Sequence, residues 1–141
     1  MNKLQEAIGL ANQRKFEEAK AAFEDLLMDN PRNDDALYNL GMCITELGQP
    51  NKAVVSLNKA LEYNPNRTNT HVAFAYAYSL LENNEKAKEH LVKACAMEPD
   101  NPYAFRNLGG VYGKLGDLAN SAYCLKKVYS INPSDSAIVY A

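Results

Sequence analysis

The sequence predicts an all-α fold, a right-handed superhelical solenoid of antiparallel helix pairs. Three observations lead there. Prolines recur at Pro31, Pro65, Pro99 and Pro133, each 34 residues from the next and each preceded by Asn or Glu. Two apolar stripes at helical spacing hold register with those prolines, and short turn sequences separate the stripes. A fixed period of this length marks a chain in which one helix pair is the repeating unit and neighbouring pairs bury each other's apolar faces.

The stripe before each proline belongs to the second helix of a unit. Twelve residues ahead of the prolines stand Ala19, Ala53, Ala87 and Ser121; eight ahead stand Phe23, Leu57, Leu91 and Leu125; five ahead stand Leu26, Ala60, Ala94 and Val128. Steps of four and three place these side chains on one face of a helix. The stripe after each proline belongs to the next first helix. Six residues on are Leu37, His71 and Phe105, and nine on are Leu40, Phe74 and Leu108. Ten on come Gly41, Ala75 and Gly109, and thirteen on Ile44, Tyr78 and Tyr112. A small residue between large ones lets a partner helix approach closely while its neighbours fill the sides.

Taken in order, the helices are expected over residues 2–13, 16–29, 34–47, 50–63, 68–81, 84–97, 102–115 and 118–131. Within units the connections are Arg14-Lys15, Gly48-Gln49-Pro50, Glu82-Asn83-Asn84 and Gly116-Asp117. Gly48 and Gly116 suit a left-handed helix cap, which Asn83 and Asn84 tolerate less well. Pro50 fits the first turn of a helix, where its missing N–H is not needed.

The segment Ala36-Leu37-Tyr38-Asn39-Leu40-Gly41, followed by Ala53, Leu57, Ala60 and Pro65, resembles the tetratricopeptide repeat (TPR). So does Ala104-Phe105-Arg106-Asn107-Leu108-Gly109 with Tyr112 and Pro133. The usual tryptophan slot holds Leu37, His71 and Phe105, and Ala75 replaces the usual glycine of the third unit. The resemblance implies a single array over residues 1–141. Its units run about 1–33, 34–67, 68–101 and 102–135, with a truncated fifth first-helix at 136–141.

Such stacking leaves a concave surface lined by first helices, read at four, seven, eight and eleven residues after each proline. That stripe holds Asp35, Tyr38, Asn39 and Met42, then Asn69, Val72, Ala73 and Tyr76, then Tyr103, Arg106, Asn107 and Gly110. Carried back one unit, it adds Met1, Leu4, Gln5 and Ile8. The expected partner-binding residues are Leu4, Ile8, Tyr38, Asn39, Met42, Val72, Tyr76, Tyr103, Arg106 and Asn107. An apolar surface rich in Tyr and Met suits a protein partner, entering as a peptide or an amphipathic helix. Family members that clamp a chaperone's C-terminal carboxylate carry Lys, Arg and Asn in slots that here hold Leu4, Ile8, Tyr38 and Met42, so that clamp is absent. Asn39 and Asn107 fit the family's asparagine ladder, because an amide donates to and accepts from a peptide backbone; Ala73 interrupts it.

The remaining signals set bounds on function. With 15 basic and 17 acidic side chains the net charge is -2, which disfavours nucleic acid or an anionic membrane as partner. No apolar run reaches bilayer-spanning length, and the charged opening lacks a signal-peptide core, so a cytoplasmic protein is expected. Cys43, Cys95 and Cys124 lie far apart in apolar-periodic stretches and read as buried free thiols; His71 and His90 have no co-ligand at helical spacing. No metal and no cofactor are therefore expected. Gly109-Gly110-Val111-Tyr112-Gly113-Lys114 departs from a phosphate loop, with Leu108 at the first glycine and Leu115 at the Ser/Thr position. No catalytic constellation survives, and an enzyme is not expected. A second reading is a self-associating array, or a fragment of a longer TPR protein whose activity lies in another domain. No polar capping helix follows Pro133, so Val128, Tyr129 and Ile131 are expected to be partly exposed, and homo-oligomers through that end are possible.

Overall fold

The computed structural model describes residues 2–132. All of the regular structure there is helical: α1 (Lys3–Asn12), α2 (Phe16–Asp29), α3 (Asp34–Glu46), α4 (Pro50–Tyr63), α5 (Thr68–Leu80), α6 (Asn84–Met97), α7 (Pro102–Lys114) and α8 (Leu118–Ile131). Every expected helix is present, with ends displaced by at most one residue. The chain divides into two compact units, Met1–Ala73 and Phe74–Ala141, with the division inside α5.

In the first unit α1 packs on α2, α2 on α3 and α3 on α4. The core gathers Ala7, Ala19, Phe23, Ala36, Leu40, Cys43, Ile44 and Ala53, all nearly or fully out of solvent. Helix starts are fixed by asparagines: Asn2 Oδ1 accepts from the Gln5 N–H at 2.8 Å, and Asn33 Oδ1 from the Ala36 N–H at 3.1 Å. Each satisfies a backbone donor that the helix cannot. Gly41 shows why the small slot exists, because a Cβ there would lie 2.7 Å from the Leu57 side chain.

In the second unit α6 packs on α7 and α7 on α8. The α7–α8 crossing repeats the small-slot logic: a Cβ on Gly109 would sit 3.2 Å from Cys124 Cβ, and Ser121 Oγ donates to the Gly109 carbonyl at 2.8 Å. Phe74 stacks on His90 with ring centroids 4.6 Å apart, and Tyr78 flanks the same imidazole at 5.8 Å. His71 is buried in the first unit.

Two sequence expectations change. The left-handed residue of the third within-unit turn is Glu82 (φ 60°), matching Arg14 (φ 61°), Gly48 (φ 82°) and Gly116 (φ 81°). Asn83 instead caps α6, its side chain accepting from the Lys86 N–H. The 34-residue register places the left-handed position at 82, and tertiary packing outweighs the better local tolerance of Asn for that conformation. The second change is Val128, which is fully buried, while Tyr129 is 47% exposed and Ile131 is half-buried. Met1 and the fifth first-helix expected at 136–141 lie outside the described residues.

Candidate partner-binding pockets

Each unit carries an open pocket on the face of a first helix. The pocket of the first unit encloses about 220 Å³ between the end of α1, the start of α2 and the face of α3; Ala11, Asn12, Arg14, Phe16, Tyr38, Asn39, Met42, Cys43 and Glu46 line it. The pocket of the second unit encloses about 200 Å³, lined by Ala75, Tyr76, Ser79, Leu80, Leu91, Arg106, Asn107, Gly110, Val111 and Lys114. Seven lining positions of the one recur in the other at a displacement of 68 residues, two repeat lengths. Ala11 becomes Ser79, Asn12 becomes Leu80, Tyr38 becomes Arg106, Met42 becomes Gly110, Cys43 becomes Val111 and Glu46 becomes Lys114. Asn39 and Asn107 occupy the same position.

The two asparagines are held alike. Asn39 Nδ2 donates to the Asp35 carbonyl at 2.9 Å, and Asn107 Nδ2 to the Tyr103 carbonyl at 2.7 Å. Each bond runs to the residue four before it on the same helix, so the amide plane is fixed and its oxygen faces away from that carbonyl. An oriented acceptor of this kind suits the N–H of an extended chain.

Tyr38 is positioned from outside its own helix. The Arg67 guanidinium lies over its ring, 5.2 Å from the centroid. Arg67 in turn pairs with Asp34 Oδ2 at 2.8 Å and with Asp35, and Asn64 Nδ2 donates to the same Asp34 oxygen at 2.9 Å. Burial pushes the Tyr38 hydroxyl above its usual range, opposed by the Arg67 charge. Burial also pushes Asp34 upward, but the hydrogen bonds from Asn64 and Arg67 and the Arg67 charge outweigh it and hold the carboxyl below its ordinary value. The Cys43 thiol beside the pocket is pushed up to about 11, by burial first and then by Glu46. It stays protonated at neutral pH, without nucleophilic character.

Of the ten residues read from the sequence, the first pocket brings together Tyr38, Asn39 and Met42, and the second Tyr76, Arg106 and Asn107. Leu4 and Ile8 are half-buried against the core of the first unit. Val72 is half-buried and outside the pocket lining; Tyr103, 65% exposed, lies under the Arg106 guanidinium at 5.6 Å. The sequence reading missed Asn12, Glu46, Leu80 and Lys114, all pocket-lining and all at one register position, fifteen residues after a repeat proline or its equivalent. One further turn of the same stripe finds them. Among the described residues no group of three His, Cys, Asp or Glu is placed to hold a metal ion, and no helix is long and apolar enough to cross a membrane.

Helix pairs with a 34-residue period, glycine at the close crossings and a pocket on the first-helix face define a helical-repeat protein. Family models for the tetratricopeptide repeat match residues 10–71, 75–116 and 104–135, and the chain belongs to the TPR family. Over 72 residues it is 35% identical to the CTR9 homolog of Arabidopsis thaliana, a match covering 51% of this chain and 7% of that protein. Among solved structures, MamA of Desulfovibrio magneticus RS-1 superposes with a TM-score of 0.84 at 24% identity, over 95% of this chain and 76% of that one. YrrB, a TPR protein with an unusual peptide-binding site, superposes with a TM-score of 0.82 at 25% identity, over 95% and 69%. The fold class is the all-α solenoid of helix pairs that these proteins share.

Proposed function

We propose that this chain is a protein-interaction module whose pockets receive side chains from a peptide or helical segment of a partner protein. The observation that carries the reading is the recurrence of one pocket at a 68-residue displacement, with an oriented asparagine in each copy. Helix-face pockets fitted with apolar walls and a fixed amide suit side-chain anchors and a peptide backbone together. The peptide-binding site of YrrB, on the same fold, supports the reading. Catalysis, nucleic-acid binding and membrane insertion are outside the proposed role. Three buried free thiols fit a reducing compartment, and the cytoplasm is proposed as the location.

Affinity selection from a random 12-residue peptide library, followed by calorimetry on the selected peptides, tests this. Tyr38→Ala together with Tyr76→Ala is expected to weaken binding by about 1–4 kcal/mol while the helical signal is retained. Unchanged affinity in the folded double variant removes these pockets from the binding surface. The second reading, self-association as an array, is favoured by the apolar outer stripe of α8 described below.

A further inference from the structure

We infer that the pocket of the second unit receives an acidic side chain, Asp or Glu, of the partner segment, an inference that rests on the peptide-binding reading above. Arg106, Gly110 and Lys114 follow one another at four-residue steps and line this pocket together, so they share one face of α7. No Asp or Glu is among the ten lining residues. A Cβ at Gly110 would meet nothing within 4 Å, so the helix surface at the position between the two cationic residues is open. At the corresponding positions of the first unit stand Tyr38, Met42 and Glu46: an aromatic ring, a thioether filling the gap, and the opposite charge, with Arg14 on the same lining. The two pockets therefore share seven lining positions, an asparagine among them, but differ in charge: the first balances Arg14 with Glu46, and the second carries Arg106 and Lys114 with no lining carboxylate. A carboxylate over Gly110 has Lys114 on one side and Arg106 on the other, with the apolar surfaces of Tyr76 and Leu80 lining the same open pocket. Charge-assisted bonds of this kind are about twice as strong as neutral ones and set partner choice as well as affinity.

The test uses the full chain and a random 12-residue library fused through its C-terminus, so that no probe carries a free terminal carboxylate. Wild type is expected to select peptides with Asp or Glu at one position fixed relative to an apolar anchor. Lys114→Glu should lose that preference, select Lys or Arg there, and bind the wild-type-selected peptide at least about ten-fold more weakly. Lys114→Gln should lose the acidic preference without gaining a basic one. Lys126→Glu, the same charge change on exposed α8 surface, should keep the wild-type profile. Acidic enrichment that survives in both Lys114 variants, or that is absent from wild type, overturns the pocket assignment while leaving peptide binding intact. A library from which wild type selects nothing overturns the peptide-binding reading, and this inference with it.

Discussion

Tyr38 sits on α3 but is held by Arg67, 29 residues later in the connection to α5, and Arg67 is fixed by Asp34 and Asp35 at the start of α3. The pair closes a loop between neighbouring repeats and restrains a pocket side chain. Removing the guanidinium leaves Asp34 partly buried with only Asn64 beside it. Arg67→Ala is therefore expected to lower unfolding free energy by about 1–2 kcal/mol in urea titrations near neutral pH. The sign of the pH dependence follows from Asp34, whose folded pKa lies below the ordinary 3.8. Its contribution is fully present above 3.8 and is lost as pH falls through the lowered folded value. The gap in urea midpoint between wild type and Arg67→Ala should hold steady from about pH 7 to 5 and shrink below about pH 4; a gap that widens on acidification would contradict the assignment. Cys43 and Cys95, pushed up by burial to about 11 and about 12, predict slow iodoacetamide labelling of the native chain at pH 8 and rapid labelling in denaturant. Arg67 was not legible in the sequence, because a connection residue carries no helical period to betray its partner. Lys114 was legible in principle, and the reading stopped one turn short of it.

At the scale of the helix, the register itself carries the information. Every helix could be placed from the apolar stripes because two periods, the helical turn and the 34-residue repeat, constrain each position at once. Turn chemistry was less legible: Glu82 takes a left-handed conformation that its side chain disfavours, where local preference pointed to the asparagines beside it. The small slots make the clearest element-scale predictions. A methyl group on Gly41 would meet Leu57 Cγ and Cδ2 at 2.7 Å, in a core where Leu57 has no exposed surface to move into. Gly41→Ala is expected to destabilise by about 1–3 kcal/mol in urea or thermal unfolding. Gly9, on α1, has nothing within 4 Å of its would-be Cβ. There the same substitution should stabilise by about 0.5–1 kcal/mol, since only helix propensity and unfolded-chain entropy change. Equal effects at the two glycines would show that the crossing at Gly41 is looser than the geometry indicates.

At the scale of the whole molecule, the outer stripe of α8 decides between acting alone and stacking. Leu118, Ala122, Leu125 and Tyr129 occupy the register of Phe16, Lys20, Phe23 and Leu27 on α2. On α2 that stripe joins the core: Phe23 is fully buried, and Phe16 and Leu27 pack against the cluster. On α8, Leu118 is 73% exposed and Tyr129 47%. The same face is thus apolar and largely in water, the condition under which a further helix-pair surface gains most by docking. Under the self-association reading, sedimentation equilibrium of the wild-type chain should show molar mass rising with concentration. Leu118→Glu with Tyr129→Glu should then weaken association at least about ten-fold, because both charges would enter a desolvated contact. Peptide binding should be untouched, since neither residue lines a pocket. The form of the curve identifies the geometry. Pairing of α8 with α8 is two-fold and stops at a dimer, whereas α8 against a different face is head-to-tail and keeps adding protomers. A wild type that stays monomeric across the accessible concentration range retires self-association and leaves the interaction-module reading standing alone.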